Sequence, residues 1–387
     1  MKSTVIKELT ENILPFWEKL IDTENGGFYG KADFYGNIDK TADKGGVLNS
    51  RILWTFSAAA RVTGNKDYLK YASHAFEAFK KFFFDKEYGG VYWLTDYTGK
   101  PVEPKKQFYN LAFAIYALTE YYRAAADENA LRYAISLYDS LEKHGYEENY
   151  GGYIDAKARD WAVLPDTSLS SKDLNCAKSM NTNLHVMEAY TNLLRCFEVP
   201  NLREKLKNLI TVTMDKIITD GKRFNLFFDN LWFPLTEEVS YGHDIEGSWL
   251  LYEAATVCGD CALTERAKQI ALKMADWVLE NGIDEVNGGL PNSNELKMKE
   301  WWPQAEAVVG FYNAYELSGN EKYFKAAADM LNYIEAYFTD KTNGEWHNEV
   351  SLNNLPDTKQ AKADMWKCPY HNSRMCLEII ERISEGE

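Results

Sequence analysis

Three of the six histidines in this 387-residue chain stand where helical patterns begin. His185 lies in "MNTNLH", His243 in "GHDIE" and His371 in "CPYHNSR". Other helix starts carry Arg51 ("NSRILW"), Tyr109 ("FYNLAF"), Asn181, Glu246, and the trio Trp301, Trp302 and Glu306 ("WWPQAE"), while Arg374 follows His371. Neutral imidazoles facing one pocket suit proton shuttling near neutral pH. Glu246, three residues beyond His243, is spaced to reach its ring and fix tautomer and basicity. Proton abstraction next to a carbonyl is the reaction class this inventory fits. A single histidine at a helix start is ordinarily a cap or a satisfied polar group. Three at equivalent places in different segments favour function. His74, His144 and His347 fall on outer helices or loops and read as surface residues. Asp244 reads as a helix-start acid favoured by the dipole, and Arg51 and Arg374 admit a plain salt-bridge reading. The adjacent pair Trp301 and Trp302 cannot both face inward on a helix.

Other chemistries find no support. No histidine pair at i, i+4 marks a metal site, and no phosphate-cradling Gly-rich loop or G-x-S-x-G elbow occurs. The single C-x-x-C, Cys258 to Cys261, reads as a Gly-Asp turn flanked by two packed thiols. A net charge of −15 argues against nucleic acid and anionic membrane as partners. Six cysteines without framework spacing, an N-terminus lacking an apolar leader pattern and the absence of any long apolar run imply a cytoplasmic, reduced protein. Aromatic residues make up 14%, which fits a cleft that stacks the flat faces of sugar rings.

The elements that must position these residues repeat. Gly-Gly signals at "NGGFYG", "YGGVYW", "YGGYID" and "NGGLPN", with degenerate versions at "DGKRFNLF" and "NGEWHN", recur at intervals of about 55 to 70 residues. Between them lie paired helical patterns. Segments such as 66–85 and 321–340 carry apolar residues at i, i+3, i+4 and have one wet face. Their partners, such as "YNLAFAIYALTEYY", are apolar nearly all round. Short links such as "TGNKD", "AADEN", "VPNLR", "CGDCA" and "SGNEK" supply left-handed stops and Asn or Asp caps. The long links carry the Gly-Gly turns and read as small hairpins. Twelve helices are expected, near 3–22, 50–63, 66–85, 109–125, 128–146, 180–197, 201–219, 242–258, 261–281, 301–318, 321–340 and 370–385. Alternating buried and amphipathic order predicts an all-α, closed (α/α)6 barrel spanning 1–387 as one catalytic domain. A superhelical solenoid is the rival, but solenoids need polar caps and rarely carry loops this long. All long links would then lie at one end, so the six inner-helix starts converge on one mouth.

"SYGHDIEGSWLL", "WWPQAEAVVGFYNAY" and "WKCPYHNSRMCLEII" resemble the cellobiose 2-epimerases of the N-acetylglucosamine 2-epimerase superfamily, and "SRILW", "YNLAFAIYAL" and "MNTNLHVMEAYTNL" agree. The resemblance implies an (α/α)6 barrel that epimerises C2 of the reducing-end sugar in β-1,4-linked disaccharides. Cellobiose would become glucosylmannose and lactose epilactose, without cofactor or metal. It implies His243 and His371 as the acid/base pair and His185 as a third, assisting histidine. Arg51, Tyr109, Asn181 and Glu246 match polar substrate contacts, and Trp302 and Trp366 sugar-stacking aromatics; Glu306 is grouped with the substrate contacts. The chain departs at Ser373, Gly247 and Pro303, where Gly, Ala and Val are expected. The partner is a small disaccharide, and the chain is expected to be a monomer or weak homo-oligomer. Alternatives are an aldose–ketose isomerase of the same superfamily, an inverting glycosidase using acids such as Asp244, Glu246 and Glu306 about 6.5–9.5 Å apart, and a carbohydrate-binding module without turnover.

Overall fold

The computed structural model describes residues 1–383 except 172, 296 and 297. Helix α1 runs through three joined segments, Lys2–Lys7, the wider-wound Glu8–Ile13 and Leu14–Glu18. Pro15, which has no N–H to offer, stands two residues after the wide turn. Then come α2 Gly46–Thr63, α3 Leu69–Phe82, α4 Phe108–Ala125, α5 Glu128–Gly145 and α6 Met180–Cys196. They are followed by α7 Leu202–Val212, α8 Tyr241–Cys258, α9 Cys261–Asn281, α10 Trp301–Ser318, α11 Glu321–Tyr337 and α12 Tyr370–Arg382. Residues 384 and 385 of the last expected helix lie outside the described residues.

The even-numbered helices are the inner ring. Each packs on the next, and α12 packs back on α2, so the (α/α)6 barrel closes and the solenoid reading falls. Their sequences explain the placement. All of α4 from Phe108 to Tyr121 is buried, as an all-round apolar helix requires. The odd-numbered helices bury one face only; α3 buries Ala72, Ala75, Phe76, Phe79 and Phe82 and turns Lys80 and Lys81 outward.

The short links follow the expected chemistry at four of five places. Gly64, Ala126, Gly259 and Gly319 adopt left-handed φ, and Asn65, Asp127, Asp260 and Asn320 then accept amide hydrogen bonds of the next helix. At "VPNLR" the left-handed residue is Asn201 itself, whose side chain makes no cap. Of the C-x-x-C pair, Cys258 is buried but Cys261 is exposed, so only one thiol packs.

The Gly-Gly signals are turns headed by an acid. Gly26 N–H donates to Asp22 O at 3.0 Å and Asp22 N–H to Gly27 O at 2.8 Å. The same pattern recurs at Asp85, Glu147, Asp284 and Asp340. A buried lysine reaches into each turn: Lys44 to Asp22 at 2.7 Å, Lys106 to Asp85 at 2.9 Å, Lys178 to Glu147 at 3.2 Å, Lys299 to Asp284 at 2.8 Å and Lys362 to Asp340 at 2.7 Å. Four of these lysines stand two residues before an inner helix. Their short strands pair antiparallel with the next repeat's loop: Lys44 with Thr95, Lys106 with Lys157, Lys178 with Phe228 and Lys299 with Val350. A bridge from Ala32 to Ala363 joins the first loop to the last. The remaining repeat, the fourth in chain order, departs: at Asp220 and Gly221 the chain makes a tight left-handed turn between Ile218–Thr219 and Arg223–Phe224.

Candidate active site

The six inner helices all begin inside this crown, so side chains of their first turns converge at the mouth. At the centre stands Arg374 of α12, fully buried. Its Nη2 donates to Glu246 Oε1 of α8 at 2.5 Å and to Glu306 Oε1 of α10 at 2.6 Å; its Nη1 bonds Glu188 Oε1 of α6. Burial acts to lower this arginine, yet Glu306, Tyr370, Glu188 and Glu246 together raise it well above its ordinary value. Burial raises the Glu306 and Glu188 carboxyls while Arg374 pulls them back.

Two histidines hang on this hub. His371 Nδ1 lies 2.7 Å from Glu306 Oε1 and 3.9 Å from Glu246 Oε1. His185 Nδ1 lies 2.9 Å from Glu188 Oε2. A carboxylate can only accept, so each of these rings carries its proton on Nδ1 and leaves Nε2 as the free nitrogen. Burial pulls His185 down to about 3 and His371 well below its ordinary value, with Glu246 opposing both shifts. Both are neutral imidazoles near pH 7.

His243 corrects the sequence reading. Its Nδ1 meets Ser240 Oγ at 2.7 Å, while Glu246, the expected partner, is taken by Arg374. Burial lowers His243 as well, and Glu246 opposes. Trp302 stands beside both rings of the expected pair, its centroid 4.7 Å from His243 and 5.5 Å from His371. Its indole N–H is anchored on Glu300 at 2.7 Å. Trp301 is the inward one, with Lys367 over its ring.

Across the mouth, Arg51 of α2 donates to the Tyr109 hydroxyl at 2.8 Å and lies over the Phe113 ring at 4.2 Å. Tyr109 packs edge-on to His185 at 5.0 Å and lies 6.2 Å from Trp366. Asn181 Oδ1 is buried without a hydrogen-bond partner among the described residues. Thus His185, His243, His371, Arg51, Tyr109, Trp302 and Trp366 do gather. Glu246 and Glu306 each give Oε1 to Arg374, and Glu306 also holds His371 Nδ1 and the Trp249 indole N–H.

The sequence reading overlooked Ser240 and Glu188. Glu188 stands three residues after His185, the spacing that singled out Glu246, so the same signal would have found it. The remaining histidines are half-buried rather than surface: His74 Nε2 contacts Gly27 O at 2.9 Å, His144 stacks on Trp161 at 4.1 Å and His347 on Phe34 at 5.2 Å. Asp244 is buried in the first turn of α8 and accepts the Phe224 N–H at 2.7 Å.

Glu246, Glu306 and His371 offer atoms within 4.8 Å of one another, as a metal site would. The Arg374 guanidinium already occupies the position between those carboxylates, so their charge is met without an ion.

The family model for N-acylglucosamine 2-epimerase (GlcNAc 2-epimerase) matches residues 27–373. The chain belongs to the N-acylglucosamine 2-epimerase family. Within it, the chain is 42% identical to the cellobiose 2-epimerase of Bacteroides fragilis, over 98% of each protein. It is also 42% identical to the cellobiose 2-epimerase of Ruminococcus albus, over 99% of each. The solved cellobiose 2-epimerase of Bacillus thermoamylovorans B4167 superposes with a TM-score of 0.94 at 41% identity, covering 98% of this chain and 99% of that one. A D-mannose isomerase shares the fold, with a TM-score of 0.87 at 22% identity. The chain is a carbohydrate epimerase, hence an isomerase.

The epimerase's three departures have local reasons. A Cβ on Gly247 would lie 2.1 Å from the Phe224 ring, so Ala does not fit here. Pro303 sits in the first turn of α10, where no intrahelical N–H is needed. Ser373, fully buried, meets Thr55 Oγ1 at 3.1 Å and donates back to Pro369 O, tying α12 to α2 beside His371.

Proposed function

We propose that this epimerase inverts C2 of the reducing-end sugar in β-1,4-linked disaccharides, turning cellobiose into glucosylmannose and lactose into epilactose. One observation carries the reading. His243 and His371 come from different repeats, each has Nδ1 tied to a partner, and Trp302 packs beside both. Inversion needs two bases on two faces of one carbon, and this pair supplies them.

The sugar opens to its aldehyde, which acidifies the C2 proton. Nε2 of one histidine takes that proton, and the C–H electron pair moves into a planar cis-enediolate. The other histidine, having taken a proton from solvent on Nε2, delivers it to the opposite face. Arg51, Tyr109 and Asn181 offer hydrogen bonds to the enediolate oxygens, and His185 assists at the ring. Trp302 and Trp366 hold sugar faces. Glu306 orients His371, and Glu246 acts through Arg374. The whole chain works as one catalytic domain, in the cytoplasm, as a monomer or weak homo-oligomer, without metal or nucleotide.

NMR of cellobiose incubated with the enzyme in deuterated water tests this. Glucosylmannose carrying deuterium at C2 is expected. Ketose as the main product would make it an isomerase that returns the proton to C1, and free glucose would make it a hydrolase. His243→Asn and His371→Asn should each cut inversion by about 10²–10⁴-fold while keeping the fold; near-normal inversion in both would refute the two-base assignment.

A further inference from the structure

We infer that Ser240 is a positioning residue for His243, holding its Nδ1 with a hydroxyl so that the ring serves as acid and as base in turn. The inference rests on the two-base reading above and concerns how the two bases differ.

The serine's position is informative. Ser240 is the N-cap residue of α8, where a serine hydroxyl ordinarily accepts a hydrogen bond from an amide of the first turn. Ser179, in the same place on α6, does so: its Oγ accepts from Thr182 N at 3.1 Å. Ser240 makes no such cap. Its hydroxyl is turned to the imidazole three residues on, at 2.7 Å. The two other histidines at the mouth have carboxylates on Nδ1, Glu306 for His371 and Glu188 for His185. Three equivalent helix starts thus give two acceptor-only partners and one hydroxyl.

The chemistry of the partners differs accordingly. A carboxylate accepts but does not donate, so it fixes Nδ1–H and favours the charged ring. A hydroxyl accepts from Nδ1–H, leaving Nε2 to take the C2 proton, and it still accepts when the ring is an imidazolium about to return one. Being uncharged, it does not add a buried negative charge that would hold the proton on His243. Ser240 is anchored for this work by its backbone bridge to Ser293 in the next loop. The repeat that carries it is also the one whose loop lacks the acid-headed, lysine-locked turn.

Ser240→Ala removes the partner without removing a helix cap, so the fold should survive with an unchanged melting temperature. Inversion should fall about 10- to 100-fold in kcat with KM little changed, a part of the full general acid–base contribution. Ser240→Thr, which keeps the hydroxyl, should recover most of the activity. The deciding readout is solvent deuterium exchange at C2, measured separately on cellobiose and on glucosylmannose. The epimer whose C2–H faces His371 should keep exchanging, because His371 removes and returns the proton on its own face. The other epimer should lose exchange along with inversion. Equal loss of exchange in both epimers, or wild-type inversion in Ser240→Ala, would overturn the assignment. Wild type and His243→Asn run alongside keep the two readings apart: no epimerisation by wild type would refute the proposed function itself, whereas an active wild type with an indifferent Ser240→Ala refutes only the role of Ser240.

Discussion

His371 and His185 each give Nδ1 to a glutamate, and both glutamates are tied to Arg374. This makes the arginine the common support of two rings, and it explains what the sequence could not show. Histidines at helix starts are visible because their type is rare and their spacing regular. Which acid serves which histidine depends on side chains 65 residues apart for Glu306 and His371, and local spacing pointed to Glu246 and His243 instead. The same hub bears on metal dependence. Glu246, Glu306 and His371 have the types and proximity of a divalent site, but Arg374 Nη2 lies 2.5 and 2.6 Å from the two carboxylates. A cation entering there would have to displace a buried guanidinium from two of its three carboxylates, at a cost of several kcal/mol. Activity should therefore be unchanged after exhaustive dialysis against EDTA. Loss of activity restored by one divalent ion would refute this.

Inner and outer helices were legible because burial writes itself into periodicity: all-round apolar sequence for α4, one apolar stripe for α3. Their ends were legible where a left-handed residue and an Asn or Asp cap adjoin, and illegible at Asn201, where the backbone turns without a capping side chain. The start of α8 shows the limit most clearly. Asp244 stands in its first turn, where a solvated acid would interact favourably with the dipole. The helix is instead buried there, and burial pushes Asp244 up to about 8 against the opposing Phe224 N–H. The folded protein thus keeps a proton that the unfolded chain, at 3.8, releases. The associated stability is complete below pH 3.8 and is lost progressively as pH rises through 8. Asp244→Asn, neutral throughout, should melt higher than wild type at pH 8, with a smaller advantage at pH 5. Thermal melts at the two pH values check it; a gap independent of pH would show that Asp244 is ionised in the fold.

On the scale of the whole barrel, five loops are locked by buried lysine–acid pairs, four of them at inner-helix starts, and antiparallel pairings hand each repeat to the next. The Gly-Gly turns were legible from left-handed glycines. The locks were not, since acid and lysine stand 22 residues apart at Asp22–Lys44 but 15 at Asp284–Lys299, too irregular for a spacing rule. Lys44 and Asp22 are both fully buried, and Lys44 also donates to Gly26 O at 2.8 Å. Burial pushes Lys44 down, whereas Asp22 ends lower than its ordinary value because Lys44 and the turn amides outweigh its own burial. Glu24 and Asn25 amides also hold the Asp22 carboxylate ionised, at 3.0 and 2.9 Å. Breaking the pair from one side leaves a buried charge without its counter-ion. Lys44→Met should destabilise by about 3–5 kcal/mol, and Asp22→Asn, which keeps the turn acceptor, should also be destabilising. The double variant, with neither charge, should lose clearly less than the sum of the two. Because the ring closes through Ala32 and Ala363, beside this lock, all three variants should still unfold in one transition. Denaturant titrations of the three give the cycle. Strict additivity would show that the charges do not act as a pair, and a separate early transition in Lys44→Met would show that the first loop melts apart from the barrel.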